Sequence, residues 1–176
     1  MPVTALVFAG GLSRRMGEDK ARMFGGVERL RDHLHEAGVA RTVVLCGSPS
    51  REALFEGEVL ADPEGLEGLH QLIVWARTAV GGTVLLVPCD AFFLTKAGVE
   101  FMLEHERSGG VPIDEQQRRQ PLFALIPEAS VLDPKATTVE NLLADLPTLS
   151  TGALGREFTN FNTPSEVARH QPELPR

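Results

Sequence analysis

The sequence predicts an α/β fold: a doubly wound, mostly parallel, Rossmann-like sheet with a mixed or antiparallel C-terminal part. Three observations carry this. Short apolar runs alternate with helix-period segments from Val3 to Glu106. Two of the runs, Val3 to Phe8 and Thr83 to Val87, are continuous, as strands covered on both faces are. After Gly109-Gly110 the rhythm changes to strand-like runs with no helical pattern between them.

Taken in order, Val3 to Phe8 is a first buried strand of β-branched and aliphatic residues. Leu30, Leu34 and Ala37 place a helix over 28–37, with Gly38 as its stop. Thr42 to Cys46 is a second strand, and Gly47 and Pro49 end it ahead of a short helix over 51–55. Val59-Leu60 is a brief third strand that stops at Asp62-Pro63. A turn marked by Gly65 and Gly68 leads into a helix over 69–80, whose inner face carries Leu72, Ile73 and Ala76. Thr83 to Val87 is the central strand, ended by Pro88-Cys89-Asp90, and a helix over 95–106 follows. Right-handed crossovers are expected for such units. Beyond them, Val111 to Ile113 and 121–126 read as strands flanking a polar stretch. Residues 139–146 read as a short helix and 157–161 as a last strand. Residues 165–170 read as a closing helix capped near Thr163.

The 176 residues suit one domain with a substantial core. A hydrophobic content of 43% and a charged content of 23% are ordinary for a soluble protein, and a net charge of −7 gives no reason to seek nucleic acid or an anionic membrane. No apolar run approaches a membrane span. Cys46 and Cys89 form no Cys-x-x-Cys pair, which suits a reducing compartment, so a cytoplasmic location is expected. His33 and His35 do not share a helix face, and the scattered histidines make no zinc pattern. Cys89 and Trp75 read as core residues.

Against the acidic background, Arg14, Arg15, Lys20 and Arg22 concentrate positive charge just after the first strand. They accompany Phe8-Ala9-Gly10-Gly11 and Ser13, a glycine turn whose backbone N–H groups suit a polyphosphate. The dinucleotide fingerprint fails because the glycines are adjacent. The P-loop fails because five residues separate Gly11 from Gly17 and Glu18 follows. On spacing alone, a surface turn with solvated arginines remains the alternative. Ligands of open α/β sheets bind beyond the carboxyl ends of the strands, where Asp62 and Asp90 also fall. Each could instead serve its turn or cap the next helix.

Gly10-Gly11 followed by Ser13-x-Arg15-Met16-Gly17-x-Asp19-Lys20 resembles the signature loop of nucleotidyltransferases, and is most similar to the molybdenum cofactor guanylyltransferases. Relatives using CTP tend to carry alanine-glycine at this pair. The resemblance continues through Asp62 with Gly65 and Gly68, Val87-Pro88-Cys89-Asp90, the run from Arg118 to Leu125, and Asn160-Phe161-Asn162-Thr163-Pro164. This chain departs from the family pattern in four places. It has Phe92 where proline is usual, Cys46-Gly47 where asparagine is frequent, no arginine near Thr137-Thr138, and a short segment before Asp62.

The resemblance implies a nucleotide-diphospho-sugar transferase type of fold in a single domain. Residues 1–107 would form a nucleotide-binding half, 108–170 an acceptor-binding part and 171–176 a frayed tail. It implies transfer of GMP from GTP to the terminal phosphate of molybdenum-molybdopterin, with release of pyrophosphate. Arg15, Lys20 and Asp90 would be catalytic. Phe8, Ala9, Gly10, Gly11, Lys20, Asp62, Gly68, Asp90 and Asn162 would bind the nucleotide, and Asp90 would hold Mg²⁺. Transient contact with molybdoenzyme apoproteins or their chaperones is the further expectation. The alternatives are a sister enzyme transferring CMP to the molybdenum cofactor or another phosphorylated acceptor, and a non-catalytic nucleotide-binding accessory protein.

Overall fold

A computed structural model describes residues 2–10, 20–161 and 164–175. Its main sheet has five strands in the order β3-β2-β1-β4-β6: β1 Val3–Phe8, β2 Arg41–Leu45, β3 Glu58–Leu60, β4 Thr83–Pro88 and β6 Leu125–Ile126. β1 pairs in parallel with β2 and β4, and β2 with β3, whereas β6 runs antiparallel to β4. A small parallel pair, β5 Val111–Pro112 with β7 Thr148–Leu149, stands beside it. The mostly parallel sheet with an antiparallel C-terminal addition is therefore present as expected.

Side-chain alternation along the strands explains why the sheet is covered on both faces. Val3, Ala5 and Val7 of β1 join Val44, Leu85 and Val87 in one core layer. That layer also takes Leu30 and Leu34 of α1 (Gly26–Glu36) and Val99 and Met102 of α3 (Lys96–Leu103). Leu6 and Phe8 point the other way with Val43, Leu45 and Leu86. They meet Leu72, Ile73 and Ala76 of α2 (Leu69–Val80) and Leu142 of α4 (Val139–Leu142). A third cluster, around Phe92 and Phe161, takes Val167 of α5 (Pro164–His170) together with Leu174.

Three expectations change. Residues 157–161 are not a strand: a 3-10 helix over Gly152–Phe158 runs into an extended stretch. Phe158 and Phe161 enter two different core clusters, and Glu157 accepts from the Thr95 and Gly98 amides at the start of α3. Among the described residues no strand pairs with 157–161, so this stretch has no ladder to join. Pro121–Phe123 likewise forms a 3-10 turn, so β6 is shorter than the apolar run suggests. The C-terminal tail is seated, since Leu174 is buried and Glu173 pairs with Arg156. Among the described residues no helix is long and apolar enough to cross a membrane.

Candidate active site

The strand register brings four residues to one edge. Phe8 pairs with Leu45 on one side and Pro88 on the other, and Leu45 pairs with Leu60, so these four form a single row across β3, β2, β1 and β4. Two residues beyond that row, in the same order, stand Asp62, Gly47, Gly10 and Asp90. Strands lie ~4.8 Å apart, so the strand ends that lead to Asp62 and Asp90 are about 14 Å apart across this edge. Strand order reverses direction at β1, and the crevice between β1 and β4 is where a doubly wound sheet receives its ligand.

At the β3 end a cleft of about 300 Å³ is lined by Phe8, Gly10, Leu45, Asp62, Leu66 and Leu72, with Pro63, Gly68 and Leu69. Its walls are apolar, and among the described residues its one ionisable group is Asp62. The Asp62 amide donates to the Gly47 carbonyl at 2.7 Å, which fixes the backbone. Burial pushes the Asp62 carboxyl above its ordinary range, and a hydrogen bond from the Gly47 backbone pulls weakly the other way. Oδ1 of Asp62 is buried without a hydrogen-bond partner among the described residues. A buried acceptor in that state can take a donor from a ligand or a water.

Gly10 is required by the protein itself. A Cβ there would stand 3.0 Å from both the Cα and N of Gly47 and 3.4 Å from Oδ2 of Asp62. The first glycine of the loop thus lets two strand ends approach one another, and Gly47, at φ 83, is its counterpart. Ala9 is buried and donates to the Leu45 carbonyl at 2.9 Å. Gly68 adopts φ 143 immediately before α2, a backbone that L side chains rarely take, so the glycine turn brings the first residue of that helix onto the cleft wall.

At the β4 end Asp90 is 5% exposed. The Ala91 amide donates to the Pro88 carbonyl at 3.1 Å and the Phe92 amide to the Asp90 carbonyl at 2.8 Å, so the chain turns sharply after the strand. Phe92 has no need of proline's fixed geometry, because its ring is buried between Phe24 and Phe161, at centroid distances of 4.9 and 5.1 Å. Asp90 offers a hard anionic oxygen, and Mg²⁺ takes one or two carboxylates with phosphate oxygens and water making up the rest. The donor set therefore fits such a cation. No group of three metal-binding side chains gathers among the described residues.

Lys20 opens a 3-10 helix over Lys20–Gly25. Gly11, Arg15 and Asn162 lie outside the described residues. The neighbour of Asn162, Phe161, packs on Phe92, so that segment reaches the Asp90 turn. The stretch around Arg118 is organised by buried Asp114. Burial alone would raise the Asp114 carboxyl, but hydrogen bonds from Arg118, Gln116 and Gln120 hold it below its usual range. Arg119 is structural: it bonds Glu140, Thr148 and the carbonyls of Leu143 and Leu146.

Two arginines escaped the sequence reading. Arg51, 8% exposed, donates to the Cys46 carbonyl at 2.8 Å and the Ala9 carbonyl at 2.7 Å, tying together the ends of β2 and β1 beneath the glycine turn. Arg29 binds the turn after Asp90. The Ala9, Ala91 and Leu94 carbonyls that accept from them lie in distant segments, and no sequence pattern marks those.

The sequence matches the family described as MobA-like NTP transferase domain over residues 5–141. A molybdenum cofactor guanylyltransferase of Xanthomonas euvesicatoria is 31% identical, covering 99% of this chain and 97% of that protein. One from Rhizobium meliloti is 30% identical, covering 97% and 91%. The crystal structure of molybdopterin-guanine dinucleotide biosynthesis protein A from Archaeoglobus fulgidus shares the fold, with a TM-score of 0.68 at 19% identity over 96% of this chain and 97% of that one.

Proposed function

The chain belongs to the family of MobA-like NTP transferase domains and is a nucleotidyltransferase, and from that premise we propose that it transfers GMP from GTP to the terminal phosphate of molybdenum-bearing molybdopterin, forming the guanine dinucleotide cofactor and releasing pyrophosphate. The observation that carries this reading is the row Asp62, Gly47, Gly10, Asp90. An apolar cleft with a carboxyl stands at one end and a metal-competent carboxylate at the other, about 14 Å away on strand spacing.

A nucleotide laid along that row has its base against Asp62 and its phosphates toward Asp90. Guanine presents N1–H and an amino group side by side, two donors that one carboxylate accepts together. Cytosine presents an amino group beside acceptors and satisfies Asp62 less well. The faces of Leu66, Leu69 and Leu72 suit a purine ring. Glycine-turn amides, Arg15 and Lys20 neutralise the triphosphate, and Asn162 adds a side-chain amide for the phosphates.

An oxygen of the acceptor's terminal phosphate attacks the α-phosphorus of GTP. The bond from that phosphorus to the oxygen bridging to the β-phosphate breaks, and pyrophosphate leaves with that oxygen and the bonding electrons. The attacking oxygen is already anionic at neutral pH, so no general base is needed. Bound at Asp90, a divalent cation, Mg²⁺, supplies neutralisation of the charge that builds on the α-phosphate and the leaving group. Molybdoenzyme apoproteins or their chaperones are the natural recipients of the product.

The test mixes purified protein, molybdenum-bearing molybdopterin and Mg²⁺ with GTP, CTP or ATP, and measures pyrophosphate and the dinucleotide formed. Product with GTP and little with CTP is expected. Equal turnover of CTP replaces the guanylyl assignment with the cytidylyl one, and nucleotide binding without pyrophosphate makes the protein an accessory binder.

A further inference from the structure

The turn after Asp90 and the turn after Lys20 are far apart in the sequence, and one side chain grips both. Arg29, in the first half of α1, donates from Nε to the Phe24 carbonyl at 3.2 Å. It also donates from Nη1 to the Leu94 carbonyl at 3.0 Å and from Nη2 to the Ala91 carbonyl at 2.9 Å. Burial lowers its pKa below the ordinary guanidinium value, although a guanidinium remains charged at any working pH. A planar fork that reaches three carbonyls in two segments cannot be reproduced by a lysine, whose ammonium is a single point.

An aromatic stack repeats the connection. Phe24 meets Phe92 edge to face at 4.9 Å and 72°, and Phe92 meets Phe161 at 5.1 Å. Phe24 itself adopts φ 49, ψ 46, a left-handed backbone rare for an aromatic residue and kept only where the surroundings over-determine it. Gly25 and Gly26 continue the turn at φ 82 and 54. A Cβ on Gly26 would lie 2.2 Å from the Ala21 carbonyl oxygen, so the shape of this turn is fixed. The three segments so joined begin at Lys20, follow Asp90 and precede Asn162.

We propose that Arg29, supported by the Phe24–Phe92–Phe161 stack, is a positioning residue that sets the Asp90 carboxylate in register with the segment bearing Lys20 and thereby governs affinity for the divalent cation without touching the base. It rests on the reading of Asp90 as the metal-holding group. The residue next to Asp90 has its carbonyl held by Arg29, and the one after that has its ring held by the stack. Removing either grip frees rotation of the peptide units that aim the carboxylate. Mg²⁺ demands near-octahedral geometry, so a few tenths of an ångström in that aim register directly in its affinity.

The experiment compares the parent with Arg29→Lys, Phe92→Leu and Leu34→Ala, the last a core truncation elsewhere on α1. Mn²⁺ affinity in the presence of a non-hydrolysable GTP analogue is read by electron paramagnetic resonance, and GMP binding without metal by calorimetry. Melting temperature and the metal dependence of pyrophosphate release complete the comparison. Arg29→Lys is expected to weaken Mn²⁺ binding by about tenfold, the scale for losing an outer partner of a metal ligand. Metal-free GMP binding should stay within about twofold of the parent, because the base cleft is at the other end of the row. Leu34→Ala should lower the melting temperature and leave Mn²⁺ affinity alone.

If Arg29→Lys does not fold, Phe92→Leu must show the same separation. Parental Mn²⁺ affinity in a folded Arg29→Lys, or an equal loss in Leu34→Ala, overturns the positioning role alone. A parent that binds no Mn²⁺ beside the nucleotide overturns the metal role of Asp90 with it.

Discussion

Asp62→Asn separates a base-reading carboxyl from a turn-forming one. The side chain keeps its size, and asparagine serves a turn before Pro63 as well as aspartate does. In the free protein Oδ1 is buried without a donor among the described residues, and burial raises the carboxyl's pKa. A buried acceptor left unsatisfied costs about 1–3 kcal/mol. Neutralising it should therefore leave the melting temperature unchanged or raise it by roughly 2–4 °C, the shift that ~1 kcal/mol makes in a chain of this size. Binding should respond in the opposite direction. The amide accepts one guanine donor and turns an NH₂ against the other, forfeiting a charge-assisted bond worth about 1.5–3 kcal/mol, or ~10–150-fold in the Kd for GTP.

The pH dependence follows from the raised pKa. Protonation of Asp62 is easier in the folded state, so the ionised group detracts from stability as pH rises from the ordinary carboxylate value through the raised one, and in full above it. The melting-temperature gap between variant and parent should close in acid and open toward neutrality. GTP affinity of the parent should fall as pH drops through the raised pKa, and the variant should lack that inflection. Calorimetry with GTP and CTP, with melting curves across pH, reads all of this. An Asp62→Asn protein that binds GTP like the parent, or melts lower at neutral pH, would refute the assignment.

Asp90→Asn should reduce turnover on the order of a hundredfold or more, the scale for ~3 kcal/mol of transition-state stabilisation, with metal-free GMP binding preserved; parental rates across a Mg²⁺ titration would make Asp90 structural. Lys20→Ala should weaken GTP binding, and added salt should bring the parent toward the variant; affinity independent of both would remove Lys20 from the phosphate site. Gly10→Ala places a methyl 3.0 Å from the Gly47 backbone and should destabilise by about 1–3 kcal/mol before any ligand is added, visible as a shifted urea midpoint.

The parts legible in the sequence are those in which local pattern and tertiary environment agree. β1 and α2 have the expected bounds because a continuous apolar run and a helix-period stretch framed by Gly68 and Gly81 each admit one reading. The placement of Asp62 and Asp90 at one sheet edge is legible because strand ends are visible. Residues 157–161 misled because two phenylalanines three apart, with polar residues around them, fit a short strand as well as a 3-10 turn. Only the lack of a neighbouring strand among the described residues decides between them. β7 is two residues long and invisible to any periodicity. Gly47 read as punctuation, because the close approach that requires it belongs to Gly10, on another strand.

The same distinction explains where precision in this site comes from. The ends of β3 and β4, at Leu60 and Pro88, are held about 14 Å apart by three strand pairings, a spacing that loop motion does not alter. The loops then need only fixed starting points. Arg51 supplies one by joining the Ala9 and Cys46 carbonyls, each one residue past β1 and β2, and Arg29 supplies the other beyond β4. Evenly spaced strands thus hold the proposed base end and the proposed metal end apart, and buried guanidinium groups fix the angles at which the chain leaves them. A substitution in either arginine should therefore disturb one end of the nucleotide and spare the other, whereas a change in sheet register would disturb both at once.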